Sequence, residues 1–248
     1  MRRARRCKDE LALLEGPKLI AEALASGLAF EAVLVTPPFL ESAAARDLVP
    51  RFERPPLEVD ERLFRAEADA DSPRGIAALT RLPREALASF EPPPGGVVVY
   101  ADGVQDPGNL GALARVAEAC GVTALLLAPG CAHPNHPRAL RASAGSLLRL
   151  RVVMAADSVR AVDRCYDALP HRWLALVPRD GDSVWRSELG GADALIVAVG
   201  AEGPGLSHTV RERADHRLTI PLQPPVESLN TTVAASVVLF EILRQRAG

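Results

Sequence analysis

The stretch "VVVYADGVQDPGNLGALAR", residues 97–115, passes from an unbroken apolar run into a Gly/Pro turn and then into a periodic pattern. The apolar run reads as a buried strand. The stripe of Leu110, Leu113, Ala114 and Ala117 has the spacing of a helix packed on one face. Strand, short loop and helix in that order are half of a βαβ unit. Within the loop, Pro107 and Gly108 turn the chain and Asn109 reads as the helix N-cap. Arg115 falls about 140° round the helix from Leu110, at roughly 100° per residue, and so points off the buried stripe. Taken alone, a plain cap and a solvated arginine account for Asn109 and Arg115.

Downstream, "TALLLA" (123–128), "LRLRVV" (148–153), "RWLALV" (172–177), "DALIVAVG" (193–200) and "HRLTIP" (216–221) are further apolar strands separated by helical stretches. This alternation predicts an α/β domain with a parallel sheet covered on both faces. Upstream, "DELALLEGPKLIAEALASG" reads as an amphipathic helix stopped at Gly27. "AVLVT" (32–36) and "GIAALT" (75–80) read as strands, with a proline-opened helix, "PPFLESAAARDL", between them. The prolines and glycines of "RLPREALASFEPPPGG" suit a linker rather than a sheet. The expected organisation is a small α/β unit over 1–80, a linker over 81–96 and a larger sheet domain over 97–248.

Composition narrows the function classes. The chain has 248 residues, 48% of them apolar, and a net charge of −2, which fits a folded protein and disfavours bulk coating of nucleic acid. The longest apolar runs fall far short of the roughly 20 residues needed to cross a membrane. The basic N-terminus is not followed by the apolar core of a signal peptide, so a cytosolic protein is expected. Cys7, Cys120, Cys131 and Cys165 form no CxxC pair and read as reduced thiols. "CAHPNH" sets Cys131, His133 and His136 at ligand-like spacing without a second cluster, so it reads as an ordinary loop and no metal is expected. Two basic clusters, Arg2, Arg3, Arg5, Arg6 and Lys8, and Arg138, Arg141, Arg149 and Arg151, suit either solvated faces or a polyanion partner.

Ligands of parallel sheets bind beyond the carboxyl ends of the strands. Three loops lie there, over residues 102–115, 200–206 and 220–230, and none carries a G-x-G-x-x-G fingerprint, which disfavours a dinucleotide enzyme. The second has Gly200, Gly203 and Gly205 around Glu202, more glycine than a tight turn needs. The third sets Glu227, Ser228 and Asn230 before a long apolar helix. Ser228 or Asn230 can cap that helix, but only one of them.

Taken in order, "DGVQDPGNLGALAR", "VGAEGPGL" and "IPLQPPVESLNTTVAASVVLFE" resemble the three motifs of the SpoU (TrmH) family of RNA ribose 2′-O-methyltransferases, in the SPOUT class, and "RASAG" (141–145) fits between the first two. "LEGPKLIAEALASGLAFEAVLVTP" and "DSPRGIAAL" resemble the L30e-like RNA-binding domain that many members carry. The resemblance implies a trefoil-knotted domain, S-adenosylmethionine as methyl donor, RNA as partner, with ribosomal RNA ahead of transfer RNA, and a homodimer with its active site at the subunit interface. It implies that Gly200, Ile220 and Leu229 line the donor pocket and that Asn109, Arg115, Glu202, Ser228 and Asn230 carry catalysis. Two prolines stand in "LQPPVESLN" where many members have glycine. A catalytically silent RNA-binding or ribosome-assembly protein is the alternative, disfavoured by the intact polar set.

Overall fold

The computed structural model describes residues 10–70, 72–154 and 159–247. Arg2, Arg3, Arg5, Arg6, Cys7 and Lys8 lie outside them. Two sheets organise the chain. The smaller holds β1 (Leu11–Glu15), β2 (Ala32–Val35), β3 (Leu57–Glu58) and β4 (Ile76–Arg81) in the order β1-β4-β2-β3. The larger holds β5 (Glu85–Ala86), β6 (Val97–Asp102), β7 (Ala124–Leu127), β8 (Val152–Met154), β9 (His171–Leu176), β10 (Asp182–Ser183), β11 (Ala194–Gly200) and β12 (His216–Thr219). Its order is β10-β12-β9-β11-β6-β7-β8-β5, and every pairing in it is parallel.

The large sheet is covered on both faces, as its unbroken apolar strands require. Alternate residues of β6 and β11 point into separate cores: Val99, Ala101, Val197 and Val199 into one, and Val98, Tyr100, Ile196 and Ala198 into the other. The first core is continuous with the smaller sheet, since Leu14, Leu19 and Ile20 pack in it together with Leu140, Leu147 and Val152.

Three local readings are corrected. The helix expected over residues 9–27 divides: Leu11–Glu15 is a buried strand paired antiparallel with β4, and the helix runs only from Pro17 to Ala25. Gly16, at φ 91°, makes the break and Pro17 opens the helix. "LRLRVV" opens with the end of a helix, Ser146–Arg149, so its strand begins at Val152. Within residues 81–96 a two-residue strand joins the larger sheet. Glu85 and Ala86 pair with Val153 and Met154, Phe90 is buried against Tyr166, and the Arg84 guanidinium donates to Asn135 Oδ1 and to the Leu147 carbonyl. The prolines fall outside the two paired residues, which is why they do not prevent the pairing.

Arg138, Arg141, Arg149 and Arg151, which have no acid near them in sequence, all find one in space: Asp106, Glu15 with Asp69, Glu22 with Glu118, and Glu85. The cluster is therefore a set of charge pairs, not an open basic face. The rings of "CAHPNH" also serve the backbone, His133 Nδ1 accepting from Asn135 N and His136 Nδ1 from Arg138 N.

Candidate active site

The loops after β6, β11 and β12 meet at the carboxyl edge of the large sheet. The first differs from its sequence reading. Asp106, not Asn109, is the N-cap of the Pro107–Ala119 helix, its Oδ1 accepting from Asn109 N at 2.9 Å. Asn109 sits inside the first turn, and its amide is free for other partners.

The second loop is a tight hairpin in which Ala201 and Gly205 exchange backbone hydrogen bonds, with Gly203 and Gly205 at positive φ. Gly200, at its base, has an ordinary φ but no space: a Cβ there would lie 2.3 Å from Gly205 C and Leu206 N. Glycine is needed for close backbone approach, and the hairpin holds Glu202 outward at its turn. Asp102, at the end of β6, accepts from Ser207 N at 2.6 Å and fixes the hairpin's exit.

The third loop delivers the start of the C-terminal helix, Thr231–Ala247. Asn230 caps it, with Oδ1 accepting from Thr232 N at 2.9 Å and Val233 N at 3.3 Å. The two threonines that follow dock this end on the other loops: Thr231 Oγ1 donates to the Gly200 carbonyl and Thr232 Oγ1 to the Asn109 carbonyl. Neither threonine, nor Asp102 or Asp106, is singled out by sequence reading. The Asp-Pro pair before an apolar stripe is the signal that would have identified the Asp106 cap.

The side chains then converge. Glu202 Oε1 accepts from Asn109 Nδ2 at 2.6 Å and from Asn230 Nδ2 at 2.8 Å, and Asn230 Nδ2 also lies 3.3 Å from Asn109 Oδ1. Beside this cluster opens a cavity of about 440 Å³ whose walls include Gly200, Glu202, Ile220, Ser228, Leu229 and Asn230. Ser228 is exposed at its rim, while Ile220 and Leu229 are half-buried. An ion pair between Arg179 and Glu227, at 2.8 Å, links the loops on either side of the mouth. Of the eight sequence-predicted residues, Arg115 alone is not brought to this place: it does not line the cavity, stands exposed on the Pro107–Ala119 helix and has no side-chain partner among the described residues.

Two neighbouring groups, a thiol and a phenol, are held neutral. Burial raises the Cys131 thiol, which donates to the Ala101 carbonyl. Burial, and then the Asp102 charge, push the Tyr100 phenol up to about 12. The cavity thus offers apolar walls, a glycine-lined backbone edge and one carboxylate holding two amides in register. It suits a small molecule held by backbone groups and a second reactant brought to the polar rim.

Residues 96–240 match the model of the SpoU rRNA methylase family, and residues 1–78 match that of an MRM3-like substrate binding domain. The chain is 30% identical to the 23S rRNA (guanosine(2553)-2′-O)-methyltransferase RlmP of Bacillus subtilis, over 96% of this chain and 90% of that one. It spans about half the length of related mycobacterial methyltransferases, 52% in one case. Among solved structures, the SpoU methyltransferase AviRb of Streptomyces viridochromogenes, crystallised with AdoMet, is similar with a TM-score of 0.86 at 25% identity. The similarity covers 98% of this chain and 92% of that one. The crystal structure of an RNA 2′-O ribose methyltransferase matches with a TM-score of 0.82 at 32% identity, covering 99% and 94%.

Proposed function

The chain belongs to the SpoU rRNA methylase family, and we propose that it transfers a methyl group from S-adenosylmethionine to a ribose 2′-hydroxyl of ribosomal RNA at the Asn109–Glu202–Asn230 cluster. The observation that carries this reading is the shared oxygen: Glu202 Oε1 binds both amides at the mouth of a cavity walled by Gly200, Ile220 and Leu229. The cavity fits the donor in size, since small-molecule sites span roughly 300–1,000 Å³. It fits in chemistry too, because Gly200, Gly203 and Gly205 line the wall with backbone in place of side chains.

Bound S-adenosylmethionine supplies a methyl group already activated on a sulfonium. The residues' task is orientation and exclusion of water, where fixed geometry lowers a barrier by several kcal/mol, up to about 7–11 in the best cases. Asn109 and Asn230 position the ribose and the donor edge, with Glu202 fixing their rotamers, and Ser228 contributes a hydroxyl at the rim. Arg115 grips the phosphate next to the target ribose and stabilises the developing alkoxide. It is not the base, because a guanidinium is essentially never deprotonated in proteins. The hydroxyl proton passes to that phosphate or to water. The 2′-hydroxyl is also what distinguishes RNA from DNA.

The reading extends to a cytoplasmic homodimer. Val233, Phe240 and Leu243 are exposed at 48%, 52% and 40% on the C-terminal helix, and Val233, Val237 and Phe240 follow helical spacing, so they offer an apolar face to a second copy. Arg115 would then complete the partner's site. The C-terminal segment is read as threaded in a trefoil knot. Support comes from the order β12-β9-β11 and from the return of residues 230–232 to the ends of β11 and the Pro107–Ala119 helix. The unit over residues 1–80 is read as the RNA-selecting part.

The test is transfer of labelled methyl from S-adenosylmethionine to unmethylated ribosomal RNA transcripts, with ribose and base methylation separated afterwards. Label on ribose 2′-oxygens with the wild type, absent in the Asn230→Ala, Arg115→Ala double variant, is the expected result. Donor binding with no transfer to any RNA, assembly intermediates included, would establish the silent binder instead.

A further inference from the structure

The arginine of "RASAG" lies in the larger domain, but its guanidinium is held at both ends by the smaller sheet unit. Arg141 Nη1 donates to Glu15 Oε2 at 3.1 Å and Nη2 to Asp69 Oδ2 at 2.8 Å. Glu15, the last residue of β1, is buried, and its carboxylate also accepts from Asp69 N at 2.8 Å and Ala70 N at 2.9 Å. This is not an exposed pair of the kind that contributes little. Removing Arg141 leaves a buried carboxylate balanced by two amides alone.

The other end of the connection is steric. Arg141 belongs to the Pro137–Ala142 helix, which packs on the Pro107–Ala119 helix so closely that a Cβ on Gly111 would lie 2.3 Å from the Ala139 carbonyl and 2.8 Å from Ala142 Cβ. Gly111 stands two residues beyond Asn109 on that helix. A contiguous set of contacts therefore runs from Glu15 and Asp69 through Arg141 and Gly111 to the amide that Glu202 holds.

We propose that Arg141 is a positioning residue for the methyl transfer: it sets the smaller unit at a fixed angle to the catalytic cluster, so that RNA held there arrives with its 2′-hydroxyl aligned. The proposal rests on the reading that the unit over residues 1–80 contacts the substrate RNA. Its signature is a loss of rate without a loss of binding, since a small misplacement of a bound reactant acts on the chemical step. Arg149, through Glu22, and Asn135, whose Nδ2 donates to the Glu10 carbonyl, join the same two units, so the fold is expected to survive loss of Arg141.

The experiment compares full-length wild type, Arg141→Ala and Arg141→Lys. It measures S-adenosylmethionine affinity by calorimetry, affinity for ribosomal RNA transcripts by filter binding, and single-turnover transfer at saturating RNA. Hydrogen exchange is followed at Asp69 and Ala70. For Arg141→Ala both affinities stay within about threefold while the single-turnover rate falls about tenfold or more, and the Asp69 and Ala70 amides exchange faster. Lysine recovers part of the rate, because an ammonium serves one carboxylate where the fork serves two. An unchanged rate at saturating RNA overturns the proposal, as does a parallel loss of donor affinity and rate in both variants. Photocrosslinking of RNA to the wild type tests the underlying reading separately. Crosslinks within residues 1–80 with an unchanged Arg141→Ala rate remove only Arg141's role, and no crosslink there removes the reading on which it rests.

Discussion

Asn230 donates its Nδ2 to Glu202 Oε1 at 2.8 Å while its own Oδ1 caps the C-terminal helix at Thr232 N. One side chain thus ends a helix and forms a wall of the site, and the two roles are separable. Asn230→Ala is expected to lose the cap, about 0.5–2 kcal/mol of stability, and the methyl transfer with it. Asn230→Ser restores a capping oxygen, and so the stability, but offers no amide to Glu202 and leaves transfer lost. Denaturant melts beside single-turnover rates check this. Activity returning with the serine would mean that Asn230 acts only as a cap.

Glu202→Gln keeps an oxygen that can accept from both amides but removes the negative charge. If fixing Asn109 and Asn230 is its role, the glutamine variant retains much more transfer than Glu202→Ala, which leaves both amides without that partner. Equal loss in the two variants would show that the charge itself is required.

Gly200→Ala places a methyl group 2.3 Å from the backbone of Gly205 and Leu206, atoms that no rotamer change can move. A destabilisation of about 1–3 kcal/mol is expected, with loss of donor binding by calorimetry. Gly191→Ala serves as the contrast. Its φ is not positive and its Cβ would meet only the tip of Arg172 at 3.5 Å, so a change within about 0.5 kcal/mol is expected.

These residues also mark how far the sequence alone could be read. The loops that hold Gly200, Glu202 and Asn230 stand out because polar and glycine residues interrupt apolar strand and helix patterns there, while the roles expected of those residues rest on the resemblance to the SpoU motifs. The parallel sheet was legible because β6 and β11 are apolar without alternation. Asn109 reads as the cap as readily as Asp106 because both types cap helices, and only the proline that follows Asp106 separates them. β1 was read as helix because "LALLE" is equally a buried strand and a helical stripe, and only its antiparallel partner, far along the chain, decides. The acids that neutralise Arg141 and Arg149 lie up to 127 residues away, beyond any local pattern.

Glu118 is held below the ordinary carboxylate range by hydrogen bonds from Arg149. A depressed folded-state pKa contributes stability above the unfolded value, 4.5, that is lost as pH falls through the folded value. Thermal melts of Arg149→Met should therefore lose less stability on acidification below pH 4.5 than those of the wild type. An identical acid limb in both would show that the pair adds nothing to folding in solution.

Arg115 offers a functional test of the proposed dimer. The side chain is exposed and has no partner among the described residues, so Arg115→Ala should change stability by no more than about 0.5 kcal/mol while reducing transfer. If Arg115 acts in its own subunit's site, mixing Arg115→Ala with Asn230→Ala chains gives heterodimers in which both sites are broken. If it reaches into the partner's site, each heterodimer has one site with an intact Arg115 and an intact Asn230. Random mixing of a two-fold dimer then restores about a quarter of wild-type activity, since half the dimers are mixed and half their sites are whole. If the proposed dimer forms through this face, Phe240→Asp, which sets a charge on it, gives a monomer by light scattering and abolishes that restoration. A Phe240→Asp monomer with full activity would place Arg115 in cis.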